Sequence, residues 1–533
     1  MEHGVVWFKR DLRTADHRAL AEAAKRGYVT CVYFIEPDLW ASPDAATQHY
    51  GFILESLRDL HKQLRRLGLT LNLLVGSATA CLQRIAAEHP INHLYSHEET
   101  GNDLSYARDR AVARWCREHG IAWQQYPQFG VHRGPHDRDH WKSAWQTFCR
   151  APQVTVPAQM AASPVRIIDT PPSAQALGLT DPDPAQRQRG GRDLATQTLQ
   201  DFLHARSQQY RGGISSPLSA PTACSRLSAY LSYGCLSMRE VLQATEAHID
   251  TLPAGRSRHK QGLQSFVSRL YWHCHFIQKL EDEPELEYRN LHRGYDGLRE
   301  ARWSEERFDA LTQGKTGWPL VDACVAMLAH TGWLNFRMRA MLVSVAAYPL
   351  WLHWRGVGQW LARQFLDYEP GIHWSQMQMQ SGTTGINVPR IYNPIKQARD
   401  HDPEGKFVRQ WLPAMRRVPD TWLFEPWRMP DSVQAACGVA VGTDIAMPVC
   451  DLDNATRLAK QAVFDLRAQP DVRAAKSAIV KKHGSRKQLE PGKSRTKARS
   501  QSTTVSNKRK TVSGPKKAKV TSAVSDRQLS LDF

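Results

Sequence analysis

The run GIHWSQMQMQSGTTG, Gly371 to Gly385, sets two thioethers, Met377 and Met379, in alternation with two amides, Gln378 and Gln380. Strict period-two alternation predicts a half-buried strand, and Ser-Gly-Thr-Thr-Gly closes it like a loop. Methionine also fills irregular core gaps, so packing alone would account for the pair. A second short stretch, Cys224-Ser225-Arg226-Leu227-Ser228, taken alone gives no more than a weak helix-cap signal. The chain holds 17 tryptophans, which mostly pack cores but can pass electrons beside a redox cofactor. Its ten cysteines form no CxxC pair and no repeated ligand spacing, so they predict reduced thiols in a cytoplasmic protein and no metal site.

The elements that must position these residues belong to a long chain. At 533 residues it predicts at least two domains. No run of 18 apolar residues predicts a membrane span, and the N-terminus shows no secretory h-region. Net charge is +18, and from Lys481 onward 15 Lys/Arg face three acids. That terminal stretch, rich in Ser, Thr, Lys and Arg, predicts a disordered basic tail able to neutralise nucleic-acid phosphates.

The first ~130 residues alternate strand and helix. GVVWF (4–8), VTCVYFI (29–35), TLNLLVG (70–76) and HLYSHEE (93–99) read as strands, with helices near 46–67 and 78–88. This order predicts a doubly wound α/β domain with a parallel sheet over 1–132. Residues 133–198 read as a linker, with seven prolines between 151 and 185. An all-α domain is expected over 199–475, with 318–348 as its best buried helical segment, and the tail over 476–533.

VVWFKRDLR near the N-terminus, GKTGWPLVDACVAMLAHTGWLNFRMR (314–339) and RIYNPIKQARDHDPEGKFVRQWLPAM (390–415) together resemble the photolyase/cryptochrome family. The resemblance implies an α/β domain joined to an all-helical domain that holds FAD. It assigns the Cys224–Ser228 stretch to the FAD phosphates, with Cys224 in place of the usual Thr. Helix starts favour such anions. It sets Tyr210 and Phe336 against the flavin, and Arg339 with Asp367 beside its ring, where a fixed cation would stabilise the reduced anion. Glu369 stands where a second Asp is usual. His373 takes the place facing the flavin nitrogen, where an imidazole could tune the ring or donate a proton.

Two places depart from the family. The outer tryptophans of its electron path fall on Trp303 and Trp354, but the flavin-proximal one falls on Met377, leaving Trp374 as the nearby substitute. The family's WQW thus becomes MQM, with Met379 where a tryptophan packs on the substrate. The lesion pocket keeps Trp272 and Arg337, while a usual Glu becomes Arg269 and a usual Met becomes Ala340. The resemblance implies light-driven repair of pyrimidine dimers in damaged DNA, with a photoreceptor as the alternative, and a monomer. An antenna chromophore, folate or deazaflavin, would sit near Glu98, Glu99 and Asn102.

Overall fold

The structure is a computed structural model that describes residues 2–484. Five strands, β1 (Glu2–Phe8), β2 (Gly27–Ile35), β3 (Leu71–Val75), β4 (His93–His97) and β5 (Ala122–Tyr126), form one parallel sheet in the order β3-β2-β1-β4-β5. Val5 and Val6 of β1 pair with Thr30 and Cys31 of β2 on one side and with Leu94 and Tyr95 of β4 on the other. A central strand flanked on both faces by helices is apolar throughout, which is why VVWF carries no alternation. The fifth strand, AWQQY, is interrupted by two glutamines and lies at the sheet edge, so no apolar run announces it.

Three crossover helices, α1 (Thr47–Arg66), α2 (Ala78–Glu88) and α3 (Asp103–Glu118), cover the sheet. Ser77 and Asn102 cap two of them, each accepting from a backbone N–H in the first turn. The segment after the sheet carries a helix, Trp141–Arg150, and then lies along the sheet. Val29 N–H donates to Ala161 O at 2.8 Å and Leu73 N–H to Ile167 O at 3.1 Å, which pairs groups that the start of β2 and the β3 edge would otherwise leave open.

From residue 192 onward the described chain is helical. The helices used below are α4 (Ser207–Gly213), α5 (Ser228–Ser232), α6 (Arg258–Asp282), α7 (Phe336–Ala347), α8 (Trp354–Gln364), α9 (Pro370–Ser381), α10 (Leu452–Ala468) and α11 (Pro470–His483). The apolar stretch 318–348 is not one helix: it splits into Pro319–Thr331 and α7. Gly332 stands at φ +63°, a left-handed cap that ends the first helix.

The two halves share a core in which Phe52 of α1 meets Tyr233, ring centroids 4.9 Å apart. Arg10, just past β1, donates to Ser232 O and Tyr368 O, both at 2.8 Å. Residues 476–483, read from sequence as the start of the tail, are the last turns of α11, with His483 buried. The expected tail beyond Gly484 lies outside the described residues.

Candidate functional site

The MQMQ run is helical: all four residues lie in α9. Met and Gln are good helix formers and neither is β-branched, so the alternation carries no strand preference once the segment packs. The buried residues His373, Trp374, Met377, Gln378 and Ser381 follow the three-and-four spacing of one helical face. Met377 is buried, whereas Met379 is half-buried. Gln378 clamps a neighbouring loop: its amide donates to Leu286 O at 2.9 Å and Arg289 O at 2.7 Å, and its carbonyl accepts from Leu291 N–H at 2.6 Å.

Trp374 is buried against Trp354 of α8, ring centroids 5.9 Å apart, and against His373 at 5.0 Å. Gly358 makes room for it, since a Cβ there would lie 2.6 Å from the indole ring. Trp354 is itself fully buried and donates to Asn290 Oδ1 at 2.8 Å. Trp303 lies over Gly356 and is half-buried, donating to Glu305 Oε1 at 2.8 Å. The three indoles therefore step inward from the surface to the α9 face.

His373 faces the Gly358 carbonyl through Nε2 at 2.8 Å, which fixes the N–H on that nitrogen. Burial pushes its pKa down to about 4. The ring is neutral at pH 7 and its one proton is committed, so it is no ready proton donor. Glu369, at the α9 N-terminus, is buried 3.6 Å from Arg10. Burial raises its pKa to about 7 despite Arg10.

Arg339 of α7 grips Asp367 through both terminal nitrogens at 3.0 Å, donates from Nε to Leu334 O at 2.8 Å, and lies 4.1 Å from the centre of the Phe365 ring. Burial pushes the Asp367 carboxyl up, but Arg339, together with Ser228, outweighs that and holds it below the usual range. Nearby, Cys224–Ser228 runs into α5. Arg206 donates to Cys224 O and Ser225 O, and Gln188 donates to Arg226 O at 2.9 Å. Arg226 holds φ +61°, rare for a side chain this large, and its guanidinium sits 3.9 Å over Trp333. Burial lowers its pKa to about 10. Leu227 is buried, while Ser225 and Ser228 are half-buried.

Burial raises the pKa of the Tyr210 phenol in α4, opposed by the charge and hydrogen bonding of Arg269 from α6. Arg269 thus reaches a residue assigned to the flavin, which its own assignment to the lesion pocket did not foresee. Trp272, three residues on, is half-buried and stacks on Phe276 at 5.8 Å. Phe336 and Arg337 are half-buried at the start of α7, and Ala340 is buried there.

These residues fit FAD. Arg206 is paired with Asp201 and Arg339 with Asp367, which leaves the charge of Arg226 for a pyrophosphate. Glu369 Oε1 and Trp374 Nε1 are buried without a hydrogen-bond partner among the described residues. Such orphaned polar atoms are costly unless a ligand or water meets them.

A second cavity, about 870 Å³, opens at the C-terminal ends of β1, β2 and β4, where the strand order reverses. Ligands of open α/β sheets bind at such switch points. Trp7, Glu36, Asn102 and Tyr368 line it, as does Glu99; Glu98 does not. Sequence reasoning missed Arg108, which reaches into it from α3. Arg108 pairs with Glu36 at 3.2 Å, Glu99 at 2.6 Å and Asp109 at 2.8 Å, and lies 4.8 Å over Trp7. These partners are up to 72 residues away in sequence, so no local signal joins them.

Close by, Asp11, His17 and His97 form a buried trio that could hold a metal ion. His17 Nδ1 accepts from Leu20 N–H, so its Nε2 carries the proton given to Asp11 Oδ2 at 2.9 Å. His97 bonds the same oxygen at 2.7 Å. The trio is satisfied by its own hydrogen bonds.

Residues 4–133 match the family model for DNA photolyase, and residues 266–465 match that for the FAD binding domain of DNA photolyase. The chain is similar to cryptochrome-2 of Arabidopsis thaliana, 28% identical over 89% of this chain and 81% of that one. It is also similar to the deoxyribodipyrimidine photo-lyase of Vibrio cholerae, 27% identical over 80% of this chain and 93% of that one. Among solved structures, a bacterial class III photolyase from Agrobacterium tumefaciens shares the fold, with a TM-score of 0.76 at 24% identity over 88% of this chain and 98% of that one.

Proposed function

Because the chain belongs to the photolyase/cryptochrome family and its cofactor is FAD, we propose that it repairs pyrimidine dimers in DNA with light. Bound and reduced, FAD supplies a light-excited one-electron donor; the protein binds, orients and shields. The observation that carries the reading is Trp272. It is a large, half-exposed aromatic stacked on Phe276 in α6, the helix that packs along α9, where Ser375 Oγ donates to Phe276 O at 3.4 Å. A flipped base can stack on such a platform, worth roughly 1–3 kcal/mol per base. Half-exposed Arg337 would hold the adjoining phosphate. Arg339, fixed by Asp367, sets a positive charge where the reduced ring is anionic, and Arg226 and Arg206 frame the pyrophosphate stretch. The antenna cavity would take a second chromophore; a structurally similar archaeal photolyase from Sulfolobus tokodaii is described with two FAD molecules.

Trp374 is the residue we place next to the flavin in the electron path, in contact with Trp354 where the family's own proximal indole is Met377. Methionine is the harder side chain to oxidise at neutral pH, so the indole carries the hop.

The photoreceptor reading has one observation in its favour: Arg269, standing where the family has a lesion-facing Glu, interacts with Tyr210. It removes an acceptor for a thymine N–H. The deciding experiment is repair of a thymine-dimer oligonucleotide by purified, pre-reduced protein under blue light and in darkness. Light-dependent loss of the dimer is expected. A normal flavin spectrum with neither repair nor preference for damaged DNA would overturn the repair reading in favour of the photoreceptor.

A further inference from the structure

The last turn of α10 and all of α11 lie beyond residue 465, where the match to the FAD-binding family model ends. α11 is nonetheless anchored at both ends. At its start Val472 is buried and its carbonyl accepts from His292 Nε2 at 2.9 Å. At its end His483 is buried and Lys482 pairs with Glu283, just past the end of α6. The 14 residues of α11 span about 21 Å. The helix thus runs from His292, whose ring lies against Gly385 in the loop that follows α9, to Glu283 just past the end of α6.

Between α10, α11 and that loop lies an open groove of about 780 Å³, lined by Gly385, Phe464, Arg467, Arg473 and Lys476 among others. Arg473 and Lys476 are exposed and stand one turn apart on the same face. The positions three and four residues to either side of each, Gln469, Pro470, Val472, Ser477, Ile479 and Val480 besides the pair itself, hold no acid. Like charges at this spacing repel, and the helix offers them no internal partner. Arg467 joins them from α10, donating one hydrogen bond to Asn387 O at 2.8 Å. Three cations around a groove with an exposed Phe464 at its wall suit a polyanion with flat bases, and the groove is open along its length as a backbone track requires.

We propose that this groove grips the phosphodiester backbone of duplex DNA flanking the lesion, as a contact beyond the residues that match the FAD-binding family model. It rests on the DNA-repair reading, and the test separates the two. Full-length protein and the double variant Arg473→Gln/Lys476→Gln are compared for binding to a 25-base-pair duplex with one thymine dimer, between 50 and 200 mM salt. Each lost phosphate contact should lower the slope of log affinity against log salt by about 0.9, so the slope falls by roughly 2 and the loss of affinity is about twelvefold greater at 50 than at 200 mM salt. The charge-conserving Arg473→Lys/Lys476→Arg restores both. A single-stranded hexamer with the same dimer, which lacks the flanking duplex, binds both proteins alike.

An unchanged slope overturns the proposal. Equal weakening on the hexamer overturns it too, because the residues would then act through the lesion pocket or the fold; an unaltered flavin spectrum and melting temperature check the fold directly. If wild-type protein repairs nothing yet the slope change appears, the repair reading fails and the groove stands.

Discussion

Two half-buried arginines anchor the two halves of this molecule in opposite electrostatic states. Arg108 in the α/β half is ringed by Glu36, Glu99 and Asp109. Arg339 in the helical half has one carboxylate, Asp367, and an aromatic face, Phe365. Around Arg108 the charges balance internally, with buried Lys9 3.3 Å from Asp109. Burial and the neighbouring Glu99 push the pKa of Glu36 up to about 7, while Arg108 pulls it down. Around Arg339 the balance is left positive by Arg226, since Arg206 is paired with Asp201. A satisfied cluster is part of the scaffold, whereas a cluster with charge to spare is shaped for an anion.

The largest test of that contrast is Arg108→Met, which leaves Glu36 and Glu99 without their ion-pair partner while Asp109 keeps Lys9, and should cost roughly 3–5 kcal/mol in urea unfolding. FAD content per folded molecule should stay at the wild-type level; its loss would mean the two halves are not electrostatically separate. Arg339→Met should cost about 2–4 kcal/mol, since a single carboxylate is stranded. Here added FAD should no longer raise stability, where wild type gains about 2.7 kcal/mol at a hundredfold excess over Kd. An undiminished gain would remove Arg339 from the flavin site.

Two glutamates have a pKa that burial lifts to about 7, Glu36 beside Arg108 and Glu369 beside Arg10. A carboxyl raised in the folded state holds a proton that the unfolded chain has released, so stability is highest at low pH and falls as pH rises through the window from about 4.5 to 7. Glu369→Gln should flatten that fall in the FAD-free protein, leaving the variant on the order of 2 kcal/mol more stable at pH 8 relative to pH 4.5 than wild type. Identical pH profiles would show that Glu369 is ionised at no cost. The smallest expected effect is kinetic: Trp374→Phe should slow blue-light photoreduction of oxidised FAD about tenfold, equivalent to about 1.4 kcal/mol. Flavin absorbance measures it, and an unchanged rate removes Trp374 from the path.

How much of this was written in the sequence differs from element to element. The apolar runs of β1 and β2 declared themselves because a buried parallel strand needs no alternation. Thr47–Arg66 fell within a residue of its expected ends. The polar edge strand Ala122–Tyr126 left no such mark, and the break at Gly332 was hidden inside an otherwise apolar run.

The sequence by itself determined the family and the order of its elements, because those depend on residue type at fixed spacing. Tertiary structure alone decided that MQMQ is helix and not strand, that Met377 and Trp374 share its buried face, and that His373 is neutral. It also decided that Arg108 meets Glu36 and Arg269 meets Tyr210. The physical reason is that a run without β-branches is locally ambiguous until packing selects its period. Charge pairing likewise depends on distance in space, which residues far apart along the chain acquire only on folding.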